Sequence, residues 1–318
     1  MLAQLVQSAC FTRTRSLVRI QYIPRISWFS PAPAGSHALG HWFESSTSHT
    51  ISMMTKLFLL QLFLTFTVGT GWIYLTVQAG LHFGSKTSGF IAGLPSTALL
   101  SFFFIGYTQT PSIAAHATTV FPIAMTISGI FLLVYAWLIR KGFLLAISAA
   151  LIVWFALSFL VLKIRPVNFG LNLAIYGISM VIAFLILEKY FMLRSIPGKK
   201  THTSHWQSIS RSLFGGLIIT ITVLIAKAGG PVMGGIFAGF PAMFIATLVI
   251  SYKVQGAEFS RALTKSLLVT GMITIAVYAG SVKYLYPSAG LYLGTVIAIC
   301  IAAVSAFLTF RYILPQIK

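Results

Sequence analysis

The chain has 318 residues, 57% hydrophobic and 8% charged, with 22 Lys and Arg against three acids and a net charge of +19. Soluble globular proteins carry about 25% charged residues, and so few charges cannot cover a soluble surface of this size. The composition excludes a soluble fold and specifies an integral membrane protein. The carboxylates are Glu44, Glu188 and Glu258, and there is no Asp. None pairs with another at helical spacing for acid–base work or for holding a divalent cation. A GxxxxGK[ST] phosphate loop and an HExxH pair are both missing,. Cys10 and Cys300 form no CxxC,. The reading is therefore of a non-enzyme, with no catalytic set, no cofactor and no metal site. Basic residues gather at the ends of apolar runs, where they anchor helices, so nucleic acid is not an expected partner.

Residues 1–52 differ in character from the rest of the chain. Arg13, Arg15, Arg19 and Arg25 stand among Ser and Thr, and no apolar stretch suits a secretory signal,. The segment reads as a leader or disordered N-terminal segment. Its composition also suits an organelle transit peptide, which would place the protein in an organelle membrane. Otherwise the expected location is a cell (inner) membrane.

A span needs about 20 apolar residues at 1.5 Å per residue to cross about 30 Å of hydrocarbon. Nine runs qualify: 57–79, 88–107, 117–139, 142–162, 169–188, 210–228, 232–251, 262–284 and 289–312. They are continuously apolar rather than alternating, which argues for helices and against a β-barrel.

An internal repeat organises these runs. Gly89-Phe90-Ile91-Ala92-Gly93-Leu94-Pro95 recurs 146 residues later as Gly235-Ile236-Phe237-Ala238-Gly239-Phe240-Pro241. Gln109 and Gln255 fall at the same offset. Four spans form each copy and the fifth lies between them, so the odd spacer turns the second copy over. Charge placement agrees. Connection 108–116 has no Lys or Arg, whereas its counterpart 252–261 has Lys253 and Arg261. The expected fold class is all-α: a polytopic membrane protein of about nine transmembrane helices, in two inverted four-helix repeats joined by a linking helix. The divisions are the leader (1–52), repeat 1 (53–163), the linking helix and cytoplasmic loop (164–205), and repeat 2 (206–318). With that topology 13 basic residues collect on one side, and five, or nine with the leader, on the other. The positive-inside rule places the C-terminus in the cytoplasm.

The stretch GGPVMGGIFAGFPAMFIATLVISYKVQGAEFSRALTKS (229–266) resembles the GlpM-like family of small prokaryotic inner-membrane proteins, most clearly over 210–312 and more faintly over 57–162. The resemblance implies a fused two-copy version of a unit of unknown function. It supplies no catalytic residues.

Two groups of residues stand out. Gly89/Gly93 and Gly235/Gly239 are GxxxG pairs suited to close helix packing. With Pro95 and Pro241 they also form matching Gly/Pro interruptions in the two halves, which point to a transporter's midplane site. Ser96, Thr97 and Thr247 lie nearby and offer hydroxyls to a polar substrate or to a carbonyl freed by proline. The second group is Glu258, Arg261 and Lys265, which share one helical face. They read either as a solvated interfacial stripe or as a cytoplasmic gate or anion site. Glu188 is expected at the interface beside Lys189. The architecture suggests a transporter-like protein moving a small solute or lipid-linked group, driven by a gradient because no nucleotide motif exists. The alternative is a non-transporting membrane scaffold or assembly factor. Expected partners are the lipid bilayer and that substrate, and a homo-oligomer is allowed for.

Overall fold

The computed structural model describes residues 56–75, 95–193 and 205–313. The leader, Gly89 and Gly93 lie outside the described residues. Among the described residues ten α-helices occur in this order: α1 Lys56–Leu75, α2 Ser96–Thr108, α3 Pro111–Ala117, α4 Phe121–Leu138, α5 Phe143–Ile164, α6 Phe169–Leu185, α7 His205–Ala238, α8 Ala242–Gln255, α9 Ala257–Ala289 and α10 Leu291–Leu308. A π-turn, Ile186–Tyr190, extends α6. No strand occurs among the described residues. Uninterrupted apolar runs become helices because hydrocarbon offers no partner to a free N–H or C=O, and a helix satisfies both within itself.

Seven helical stretches among the described residues are long and apolar enough to cross a membrane, against the nine expected. The difference has two sources. The described part of the expected span 88–107 is α2, only 13 residues long. The expected spans 210–228 and 232–251 read as one apolar stretch, Trp206–Lys253. That stretch is not one straight helix. Gly230 has φ 80°, a conformation L side chains rarely adopt, and it bends α7 just before Pro231,. Residues 239–241 then separate α7 from α8. Span 262–284 is longer than expected, running as α9 from Ala257 through Pro287 to Ala289. The reversal between the expected spans 262–284 and 289–312 is made by Gly290, and the one before α9 by Gly256. Both sit at positive φ, 77° and 85°, which lets one residue join two helices.

Contacts define two ends of the bundle. At the first, Arg140 Nε donates to Glu258 Oε1 at 2.9 Å, and Phe143 stacks on Tyr252 with centroids 4.4 Å apart. Lys265 Nζ there donates to the Leu193 carbonyl at 3.3 Å. This end gathers Gly142, Gly256 and the end of α6. At the second, a methyl group on Gly106 would lie 2.6 Å from Leu291 Cδ1. Phe103 and Tyr292 lie 6.3 Å apart, and Lys283 Nζ donates to Thr119 Oγ1 at 2.7 Å. This end gathers Gln109, Gly290 and the start of α6. Helix α9, 33 residues and about 50 Å long at 1.5 Å per residue, runs from the first end to the second.

The interior holds large aromatic side chains, among them Trp154, Tyr135, Tyr278, Phe102 and Phe121, all fully buried. Ile152 and Phe159 of α5, Ile178 of α6 and Val304 of α10 face outward and are exposed. Apolar residues on both sides of a helix suit lipid outside and protein inside. The helical, apolar architecture is that of a membrane protein.

Ser112 and Lys253 are exposed near opposite ends. With Cys10 and Cys300 replaced by Ala, Ser112→Cys and Lys253→Cys are expected to react with a membrane-impermeant maleimide from opposite sides of a vesicle. Labelling of both from one side contradicts this fold.

Candidate functional site

Two helices begin inside the bundle. Pro95 precedes α2 with φ −77° and ψ 55°. Pro241 precedes α8 with φ −77° and ψ 41°. From there α2 runs to the Gln109 end and α8 to the Gly256 end. Pro241 interrupts the apolar stretch between α7 and α8, as the sequence suggested, rather than lying within a continuous helix. Each proline sits where a new helix starts, where a missing N–H costs nothing.

The break before α8 is closed by side chains from α4 and α5. Ser128 Oγ donates to the Gly239 carbonyl at 2.7 Å and accepts from Trp154 Nε1 at 3.2 Å. Trp154 packs edge-on against Phe240 and Phe237, with centroids 5.0 and 6.0 Å away. The Ala242 N–H donates to the Phe240 carbonyl at 2.8 Å, and Ile245 N–H to Pro241 at 2.9 Å. Thr247 Oγ1 donates to Met243 within its own helix at 2.7 Å, so its hydroxyl serves α8 rather than the break. Ser96, 9% exposed, and Thr97 form the first turn of α2.

The glycines act by contact. A Cβ on Gly235 would collide with the Ala117 carbonyl, and one on Gly239 would come 2.6 Å from Ala124 Cβ. Residues 231–238 thus lie directly on α3 and α4, the close approach that small residues allow.

The charged stripe is not a solvated one. Arg261 and Lys265 are 8% and 2% exposed. Arg261 Nε donates to the Ala136 carbonyl at 2.9 Å, and its head lies 4.0 Å from Glu258. Glu258 is exposed and binds Arg140. Lys265 forms an ion pair with Glu188 from the π-turn after α6. Met192, at φ 50°, turns the chain so that the Leu193 carbonyl meets the same ammonium. Beside them, Tyr135 and Ser260 hydroxyls lie 2.8 Å apart, and Ser251 donates to Ser260 at 3.1 Å. Glu188 and Glu258, the only carboxylates after the leader, both pair with cations of α9. Sequence reading placed Glu188 at the interface but missed Lys265 as its partner. It also missed Arg140, Tyr135, Ser128 and Trp154. The available signal was rarity: in a chain this poor in acids, each acid has several candidate cations. Among the described residues no group of three His, Cys, Asp or Glu side chains stands together to hold a metal.

Residues 208–314 match a family described as a protein of unknown function, DUF3147. That match covers these residues alone and carries neither the GlpM name nor a second copy. No curated protein and no solved structure matches the chain.

The two ion pairs differ in expected weight. Glu188→Gln takes the carboxylate from a buried ammonium and should lower stability in detergent by about 2–4 kcal/mol, below the full buried-pair cost because Glu188 is 37% exposed and the Leu193 carbonyl remains,. Glu258→Gln, at an exposed pair, should cost about 1 kcal/mol or less. Equal thermal shifts for the two would refute this ranking. Gly235→Ala should cost about 1–3 kcal/mol, because the carbonyl it meets is backbone. Gly177→Ala, with open space around it, should be neutral, and thermal unfolding reads the contrast.

Proposed function

We propose that the protein is a gradient-driven membrane transporter that passes a small solute or lipid-linked group between two halves of opposite orientation. The observation that carries this reading is the pair of half-helices starting inside the bundle at Pro95 and Pro241 and running to opposite ends. Broken helices in matching positions are how transporters expose backbone at mid-depth. The offset of 146 also relates Thr110 and Gly256, the residues that open α3 and α9. Contacts interchange in the same way. Phe143 on Tyr252 corresponds to Leu291 against Gly106, with offsets of 148 and 146.

The cluster of Arg140, Glu258, Arg261, Lys265 and Glu188 is the proposed gate at the first end. Its ion pairs join α9 to the α4–α5 turn and to the end of α6, so exchanging them would free three elements together. Among the described residues the first end carries eight Lys and Arg and the second five. The positive-inside rule then puts the first end, and the C-terminus beyond α10, in the cytoplasm. The proposed location is a cell membrane, or an organelle membrane if residues 1–52 serve as a transit peptide.

Reconstitution in liposomes with a broad solute screen tests the reading. The wild type should accelerate uptake of at least one solute. Glu258→Gln should change that flux by several-fold while its thermal midpoint stays near that of the wild type. No uptake of any solute overturns transport and favours a scaffold that binds partner helices.

A further inference from the structure

We propose that Glu188 is a proton-binding site, and that a proton bound there releases residues 186–193 from Lys265 on α9 at the first end. The inference rests on the transport reading for its purpose, since it names what operates the proposed gate.

Residues 186–193 form a clip against α9. The Phe191 N–H donates to the Ile186 carbonyl at 2.9 Å and the Leu193 N–H to the Leu187 carbonyl at 3.0 Å. Both loops are wider than those of an α-helix, and such π-turns recur at functional sites. Leu187 and Leu193 are buried, while Tyr190 and Met192 are exposed. Two groups of the clip meet the Lys265 ammonium: the Glu188 carboxylate as an ion pair, and the Leu193 carbonyl at 3.3 Å. Met192 aims the second at φ 50°. That left-handed conformation costs a residue with a side chain, and it persists only where the surroundings enforce it. The clip is a strained closure with a charge pair at its centre.

Exposure decides which carboxylate acts as the trigger. Both partners of the Arg140–Glu258 pair are exposed, so a proton on Glu258 leaves a guanidinium that water hydrates. The Lys265 side chain is 3% exposed and that of Glu188 37%. Water at the first end therefore delivers a proton to Glu188 but does not replace the charge that the buried ammonium loses. In that step hydronium gives its proton to a Glu188 carboxylate oxygen, the carboxylate becomes a neutral acid, and Lys265 stays an ammonium. The inner pair is the stronger of the two, so it opens on neutralisation rather than by exchange with solvent.

Among the described residues the other charged groups near the clip are cations and Glu258. Arg261, one turn before Lys265 on α9, lies 5.5 Å from the Phe191 ring centre. Lys265 lies 5.8 Å from that of Phe184 in α6. Lys189 neighbours Glu188 on the turn. Helix α4 brings the Tyr135 hydroxyl, bonded to Ser260, and Arg140 follows it, bonded to Glu258. Glu258, the other carboxylate side chain after the leader, is thus engaged elsewhere and does not take over the ammonium when Glu188 is neutral.

Double electron–electron resonance on the full-length protein in zwitterionic nanodiscs tests this. Cys10 and Cys300 are replaced by Ala, and nitroxides are attached at Tyr190→Cys on the clip and Lys253→Cys at the end of α8, both exposed positions. At about pH 8 this background should give one distance. As pH falls to about 4, through the carboxylate range, a second population should grow at least about tenfold and vanish on return. Glu188→Gln, which mimics the protonated acid, should show that second population at every pH. Lys265→Met removes the cation and should abolish the pH response. It serves if the Gln variant does not fold, with thermal unfolding as the check. A single unchanging distance in the background protein, a pH response that survives in either variant, or a folded Glu188→Gln protein that stays closed overturns the inference. Flux of a solute through a protein whose clip ignores pH defeats this inference and leaves transport standing. A proton-released clip without flux of any solute defeats transport and leaves the site.

Discussion

A backbone that leaves its helix inside the bundle must find every hydrogen bond within the protein, and residues 239–241 are where that demand is greatest. Hydrocarbon supplies no donor or acceptor, so an unpaired group there costs several kcal/mol. The Gly239 carbonyl is met by Ser128, which is held in turn by Trp154. One hydroxyl thus ties α4, α5 and the break before α8 together. The same requirement explains the glycines. Gly235 and Gly239 carry no Cβ because α3 and α4 must come close enough for that hydroxyl to reach.

Electrostatics add a second constraint. A chain with 22 cations and three acids cannot neutralise its buried charges freely. Helix α9 buries two cations, and they are served by one carboxylate each and by backbone carbonyls. The two pairs are unequal. The Arg140–Glu258 bridge is exposed and contributes little. Lys265 has almost no contact with solvent, and its ammonium depends on Glu188 and on the Leu193 carbonyl. Strength in this cluster therefore lies with the inner pair, and adjustability with the outer one.

Parts of this were legible in the chain. Expected spans 117–139, 142–162 and 289–312 lie within a few residues of α4, α5 and α10, because a continuous apolar run in lipid has one outcome. The positions of both prolines were also read as interruptions. That each directly precedes a helix start was not legible, since proline at a helix start and proline within a helix look alike in sequence. The stripe of Glu258, Arg261 and Lys265 was seen as a face, but its burial was not. Periodicity places residues on one side of a helix without saying what covers that side.

Composition and hydropathy by themselves determined that the protein is a helical membrane protein. These features come from local physics: each residue's cost in water or lipid, and the backbone each side chain permits. Only the tertiary structure decided that Ser128 and Trp154 close the break before α8, and that Glu188 serves Lys265. Ser128 and Gly239 are 111 positions apart and Glu188 and Lys265 77, across helices whose rotation is set by packing. No local preference of the chain encodes such a distance.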